Sequence, residues 1–281
     1  MFKVCFLQIR SMFFSYRFYI AIIIGVIIQC INNTPLYEFS VTMKEPLNFL
    51  EGFIYFSADK YSISAAFLGI ILAVSEIPFL SNIESYVMTR ITVKKWSYGK
   101  ILYIFLSCIF YYFMILIGSA IFLSSNSFIS NSWSKLFYKI SSEGNILSYN
   151  LYFPYKYVLR ISPLIAAFCS FILNVLYAFT MCLLLFMLCL LFRRKSAYIT
   201  TMMLHIISYM ILILFKSPIY YKASLLGQSM IVYHSIDGHR ADMLWTINES
   251  LFLFLIVDVL LIIGINKSVK KYGPKTAIGM A

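Results

Sequence analysis

The chain has 281 residues, 61% hydrophobic and 12% charged, with a net charge of +12 from 23 Lys and Arg against 11 Asp and Glu. Soluble domains carry about 25% charged residues, so this composition excludes a soluble globular protein and points to an all-α membrane protein of several spans. The cations gather at the ends of apolar runs and not in a patch with base-stacking context, which argues against nucleic acid as a partner.

Residues 1–17 are expected to form an N-terminal interfacial amphipathic helix. Lys3, Arg10 and Arg17 are spaced by seven and make one cationic stripe, while Phe2, Cys5, Ile9, Met12, Phe13 and Tyr16 fall on another face. A flanking segment that only snorkels its cations fits the same pattern. Residues 18–281 read as one domain of six transmembrane helices. The first span covers about 18–33 and ends at Asn32 and Asn33, short against the ~20 apolar residues of a full crossing. Residues 34–61 carry Glu38, Glu45, Glu51 and Asp59 against Lys44 and Lys60, and read as a non-cytosolic loop. Span two is about 62–82, followed by a cytosolic linker, 83–97, and span three at about 98–123. Residues 125–162 are polar but dense in Tyr and Phe, which suits short interfacial helices at the headgroup layer. Span four, about 163–192, is closed by Arg193, Arg194 and Lys195. Span five is about 197–215, a second external loop runs to Asn248, and span six is about 249–266 before a basic tail.

Charge tests this layout. The cytosolic parts hold 14 of the 23 cations against one acid, Glu84, whereas the external parts have nearly balanced charge. The asymmetry places both termini in the cytosol. No small-residue cleavage site follows the first apolar run, so no removable leader is expected.

Three ionisable residues fall inside apolar spans: Glu76, His205 and Asp258. Unpaired at a helix centre each costs about 2.5 kcal/mol or more, so each needs a partner or water. Their positions set them about 10–12 Å above the cytosolic face, where His205 and Asp258 on consecutive antiparallel spans could pair. Such a layer is either part of a gated path or interhelical glue worth about 0.6 kcal/mol per bond. Pro78 is expected to kink or end span two. The six cysteines form no C-x-x-C pair and read as small buried hydrophobes. His234, Asp237 and His239 lie close in sequence, a spacing that suits a solvated loop better than a metal site. Asn32-Asn33-Thr34 and Asn248-Glu249-Ser250 match glycosylation acceptors, a pattern that chance often produces. The chain has no G-x-x-x-x-G-K-[ST], H-E-x-x-H or G-x-S-x-G, so no catalytic residue is assigned.

The segments Glu76-Ile77-Pro78-Phe79, Tyr86-Val87-Met88-Thr89-Arg90, Lys94-Lys95-Trp96 and Gly99-Lys100 resemble the second-span exit of bacterial ABC-2-type transporter permeases, the membrane subunits of ATP-binding-cassette exporters. The six-span layout resembles them over nearly the whole chain. The resemblance implies that the N-terminal helix is a connecting helix. It also implies a coupling helix within 81–97, with Glu84, Tyr86, Arg90, Lys94, Lys95 and Trp96 docking on an ATPase subunit. Two permease subunits, identical or different, would pair in the bacterial plasma membrane. ATP and Mg would be held by the ATPase, with no cofactor on this chain. The cargo by analogy is a peptide or lipid-like compound, exported or guarded against. One departure is that the loop between spans five and six has no obvious pair of re-entrant helices, Leu225–Tyr233 being the one short candidate. Two other readings stay open: a channel or scaffold without an ATPase, and an intramembrane enzyme using Glu76, His205 and Asp258.

Overall fold

The computed structural model describes residues 2–75, 91–149, 151–153, 156–215, 218–236 and 245–272. Glu76 to Arg90, including Pro78 and most of the expected coupling helix, lies outside the described residues. The described chain is helical, and five of its helices are long and apolar enough to cross a membrane, or six if one sharply bent pair counts as a single span.

Helix α1 (Phe2–Phe13) buries Val4, Cys5, Gln8 and Met12 and leaves Phe6 exposed. Of the expected apolar face, Cys5 and Met12 are buried and Ile9 packs beside them, while Phe13 is exposed and Val4 and Gln8 are buried in addition. The chain breaks at Phe14–Ser15 and continues as α2 (Tyr16–Met43). At 28 residues α2 is about 42 Å long, well beyond a ~30 Å hydrocarbon core. Asn32 and Asn33 do not end the helix, contrary to expectation, and their side-chain N–H groups find partners sideways. Asn32 donates to Ser62 Oγ (2.6 Å) and Asn33 donates to Ser119 Oγ (3.2 Å). Pro35 is carried inside the helix, which stops at Lys44 in a left-handed conformation (φ 55°) whose N–H closes on Ser40 and Val41 carbonyls.

The expected external loop of 34–61 is instead the top of α2 followed by α3 (Glu51–Ala58), a helix with all eight residues buried. It meets α4 (Lys60–Ala73) at a 92° bend. Asp59 makes the corner, its carboxylate accepting the Tyr61 and Ser62 amides as the N-cap of α4. Helix α5 (Val93–Leu123) starts ahead of the expected span three and takes the end of the linker into its first turn.

Between α5 and the next crossing lies a cap. It contains the strand pair β1 (Leu47–Asn48) with β2 (Ser127–Phe128), α6 (Lys135–Glu143), and the strand pair β3 (Asn145–Ile146) with β4 (Leu151–Tyr152). This is more than short interfacial helices. A column of rings, Trp133 on Phe137 (5.2 Å) and Phe137 on Phe153 (4.7 Å), carries it down to Tyr55 of α3. Helices α7 (Pro163–Leu191), α8 (Arg194–Leu214) and α11 (Ile247–Tyr272) match spans four, five and six to within a few residues at most ends, although α11 runs on past residue 266. Between the last two lie α9 (Pro218–Ala223) and α10 (Leu225–Ser229).

Helix α7 is the centre of the bundle. Of its most apolar window 72% is buried, against 22% for α11 and 28% for α8, and it touches α3, α5, α8, α10 and α11. The outer helices turn wide apolar faces to lipid, as Ile23, Ile27 and Ile31 of α2 do. Close approach elsewhere depends on glycine. The Tyr111 hydroxyl of α5 donates to the Ala66 carbonyl (2.7 Å) and lies flat against Gly25 of α2 and Gly69 of α4. A Cβ at Gly69 would strike that hydroxyl. Gly69→Ala is thus expected to destabilise the fold by about 1–3 kcal/mol. Thermal unfolding in detergent should show Tyr111→Phe recovering part of that loss in the double variant. Strictly additive losses would contradict this packing.

Candidate functional site

Within the apolar helix α7, Ser170, Asn174 and Tyr177 share one face, and Thr180 lies one turn beyond Tyr177. Three of these four reach a different element. Asn174 donates to Ser57 Oγ of α3 (3.1 Å), the Tyr177 hydroxyl meets His205 Nδ1 of α8 (2.6 Å), and Thr180 donates to Asp258 Oδ1 of α11 (2.6 Å). His205 is held on its other side by Ser64 Oγ of α4 (2.7 Å), and its ring stacks on Phe67 (4.3 Å). His205 and Asp258 are both buried, at 3% and 4% exposure.

The two therefore do not pair with each other, because α7 stands between them and supplies each with its own hydroxyl. His205 is 11 residues into α8, about 16 Å, and Asp258 is 14 residues from the end of α11, about 21 Å. Tyr177 is 14 residues from either end of α7, so the layer sits near the middle of these helices. Glu76, the third expected member, is outside the described residues.

Of the residues implied to couple to an ATPase, Lys94 and Lys95 are exposed on the first turn of α5. Trp96 is buried, edge-on to Phe186 of α7 (6.0 Å), and faces the bundle rather than solvent. Glu84, Tyr86 and Arg90 are outside the described residues. This end of the bundle is tied together by side chains. Ser97 donates to Asn266 Oδ1 (3.3 Å), Asn266 donates to the Tyr98 hydroxyl (3.1 Å), and Tyr198 donates to the Ser75 carbonyl (2.9 Å). Lys100 is buried with its ammonium 5.8 Å from the Trp96 ring centre.

A second polar cluster sits at the other end. Ser224 caps α10 by accepting the Gly227 N–H (3.0 Å) and donates to the Ser208 carbonyl (2.8 Å), which pins α10 to α8. Gln228 donates to the Lys222 carbonyl (2.9 Å) and its own carbonyl takes the Ser250 hydroxyl of α11. His234 donates from Nδ1 to the Met230 carbonyl (2.9 Å), and its Nε2, 2.7 Å from Ser250 Oγ, shares the one Ser250 proton with the Gln228 carbonyl. His234 is 1% exposed, so the solvated loop expected here is a packed one, and with both ring nitrogens occupied it is not placed to bind a metal. Asp237 and His239 are outside the described residues, and no cluster of metal-binding side chains occurs among the described ones. A serine beside a histidine suits nucleophilic chemistry, but Ser250 is 0% exposed and its hydroxyl is bonded to the Gln228 carbonyl.

Burial holds the His234 imidazole down, from the usual 6.5 to about 4, against the opposing pull of the Met230 and Ile231 carbonyls. The unfolded chain binds this proton first. The stability tied to a neutral His234 is therefore complete above about pH 6.5 and drains away as pH falls towards 4. The melting temperature is expected to fall over that window, and to fall less in His234→Gln. An equal fall in the variant would contradict the assignment. No family model, curated protein or solved structure matches the chain.

Proposed function

We propose that the protein is the permease subunit of an ATP-binding-cassette exporter of the ABC-2 type, with a peptide or lipid-like cargo. On this reading α3–α4 is one broken span, giving six crossings. Helix α1 is then the connecting helix, and both termini face the cytosol of a bacterial cell.

The observation that most favours this reading is the α9–α10 pair. The resemblance implies two short helices between the last two spans, and the sequence offers only Leu225–Tyr233 for them. Helix α9 covers Pro218–Ala223 and α10 covers Leu225–Ser229, the latter seated against α7 and α8. Gly227 permits that seat, since a Cβ there would lie 2.9 Å from the Tyr221 carbonyl. The exposed Lys94 and Lys95 at the start of α5 suit a docking turn for a soluble partner. The sequence has no phosphate-cradling loop, which fits an engine on another chain.

Capture of the tagged protein from gentle detergent tests the reading. It is expected to bring down an ATP-binding-cassette ATPase. Combined Arg90→Ala, Lys94→Ala and Lys95→Ala substitutions should cut that recovery at least fivefold. Capture without any such ATPase would contradict the assignment.

A further inference from the structure

Helix α3 is unusual in being completely buried while both of its flanks are polar. On one flank Asn33 of α2 and Ser119 of α5 lie against Gly52, and Gln29 follows one turn from Asn33 on α2, near Gly118 of α5. On the other flank is Asn174 of α7, with Ser170 one turn from it. All five are 0% exposed. Four of them keep a polar atom without a partner among the described residues: Gln29 Nε2, Asn33 Oδ1, Ser170 Oγ and Asn174 Oδ1. Buried polar atoms are nearly always satisfied, so four such atoms on the two helices that flank α3 need a reason. Two of these side chains touch α3 directly. Asn174 bonds Ser57, and the Asn33 amide lies against Gly52, where a Cβ would come within 2.6 Å of it. Helix α3 thus stands between two hydrogen-bonding walls.

Its attachments are of two kinds. At one end is the right-angled corner at Asp59, with extended backbone (φ −93°, ψ 116°). At the other, Glu51 accepts the Asn48 N–H (2.9 Å), the Ser134 N–H (2.7 Å) and the Ser134 hydroxyl (2.8 Å). Ser134 is the N-cap of α6, so this one carboxylate joins α3 to the cap. Glu51 is also the only charged residue of α3, and it lies at the end opposite the corner.

We propose that α3 is a removable plug. Released at Glu51 and swinging about Asp59, it opens a passage walled by Gln29, Asn33 and Ser119 on one side and Ser170 and Asn174 on the other. These walls offer amides and hydroxyls, not charges, and suit water and uncharged hydrogen-bonding groups such as those of a peptide. The passage lies within one chain. It extends the permease reading, from which it takes only its drive.

Thiol accessibility in lipid vesicles tests it. Purified full-length protein carrying Asn33→Cys or Asn174→Cys is treated with a water-soluble, membrane-impermeant thiosulfonate, and the modified site is read by mass spectrometry. Both positions are expected to react, and at least tenfold faster when Glu51→Gln is added. Reaction at neither position, at only one, or at rates that Glu51→Gln leaves unchanged overturns the proposal. If Glu51→Gln fails to fold, Ser134→Ala removes one of the three bonds and takes its place. No ATPase is present, so the result stands apart from the capture experiment. Reactive thiols without any captured ATPase would keep the passage and remove its proposed drive.

Discussion

Lipid offers no hydrogen bonds, so a polar group inside a membrane bundle must find its partner in the protein. Helix α7 meets that constraint for much of this fold. Asn174, Tyr177 and Thr180 point to α3, α8 and α11 in turn, and each makes one buried bond. Individually such bonds are worth about 0.6 kcal/mol on average, too little to hold a bundle together. Their larger effect is on register, since sliding any of these elements by one turn would strand a polar group in an apolar setting. The tight packing of α7 then follows, because a helix that must satisfy three neighbours has to lie among them.

The same constraint is met unevenly along the bundle. Towards the Lys94 end, Asn266 and Tyr198 tie α5 to α11 and α8 to the end of α4. Around α3 the polar groups are only partly satisfied, and the Glu51 carboxylate and the Tyr55–Phe153 ring contact link it to the cap. A half-satisfied network is costly in a static core. It is less costly in a transporter, where one state hides groups that another state wets.

Much of this fold was legible in the sequence. Spans four, five and six are apolar runs closed by cations, and α7, α8 and α11 follow them closely. Span one runs past its expected end because Asn32 and Asn33, which look like terminators, donate from within the helix to Ser62 and Ser119, distant in sequence. Helix α3 was hidden for a similar reason. Glu51 marks a solvent loop by its charge, and only the fold brings Ser134 to it. At the polar layer His205 and Asp258 stood out as ionisable groups in apolar runs, but their partners did not, since Tyr177 and Thr180 pass for ordinary members of a membrane helix. The spacing of Ser170, Asn174 and Tyr177 on one face was the signal that could have found them.

The central claim is that α7 separates α8 from α11 and supplies each with its hydroxyl. Cysteine cross-linking in the membrane tests it most directly, using two pairs oxidised under the same conditions and read by mass spectrometry. Thr180→Cys with Asp258→Cys should form a disulfide, and His205→Cys with Asp258→Cys should not. A bond in the second pair and none in the first would place α8 against α11 and contradict the architecture.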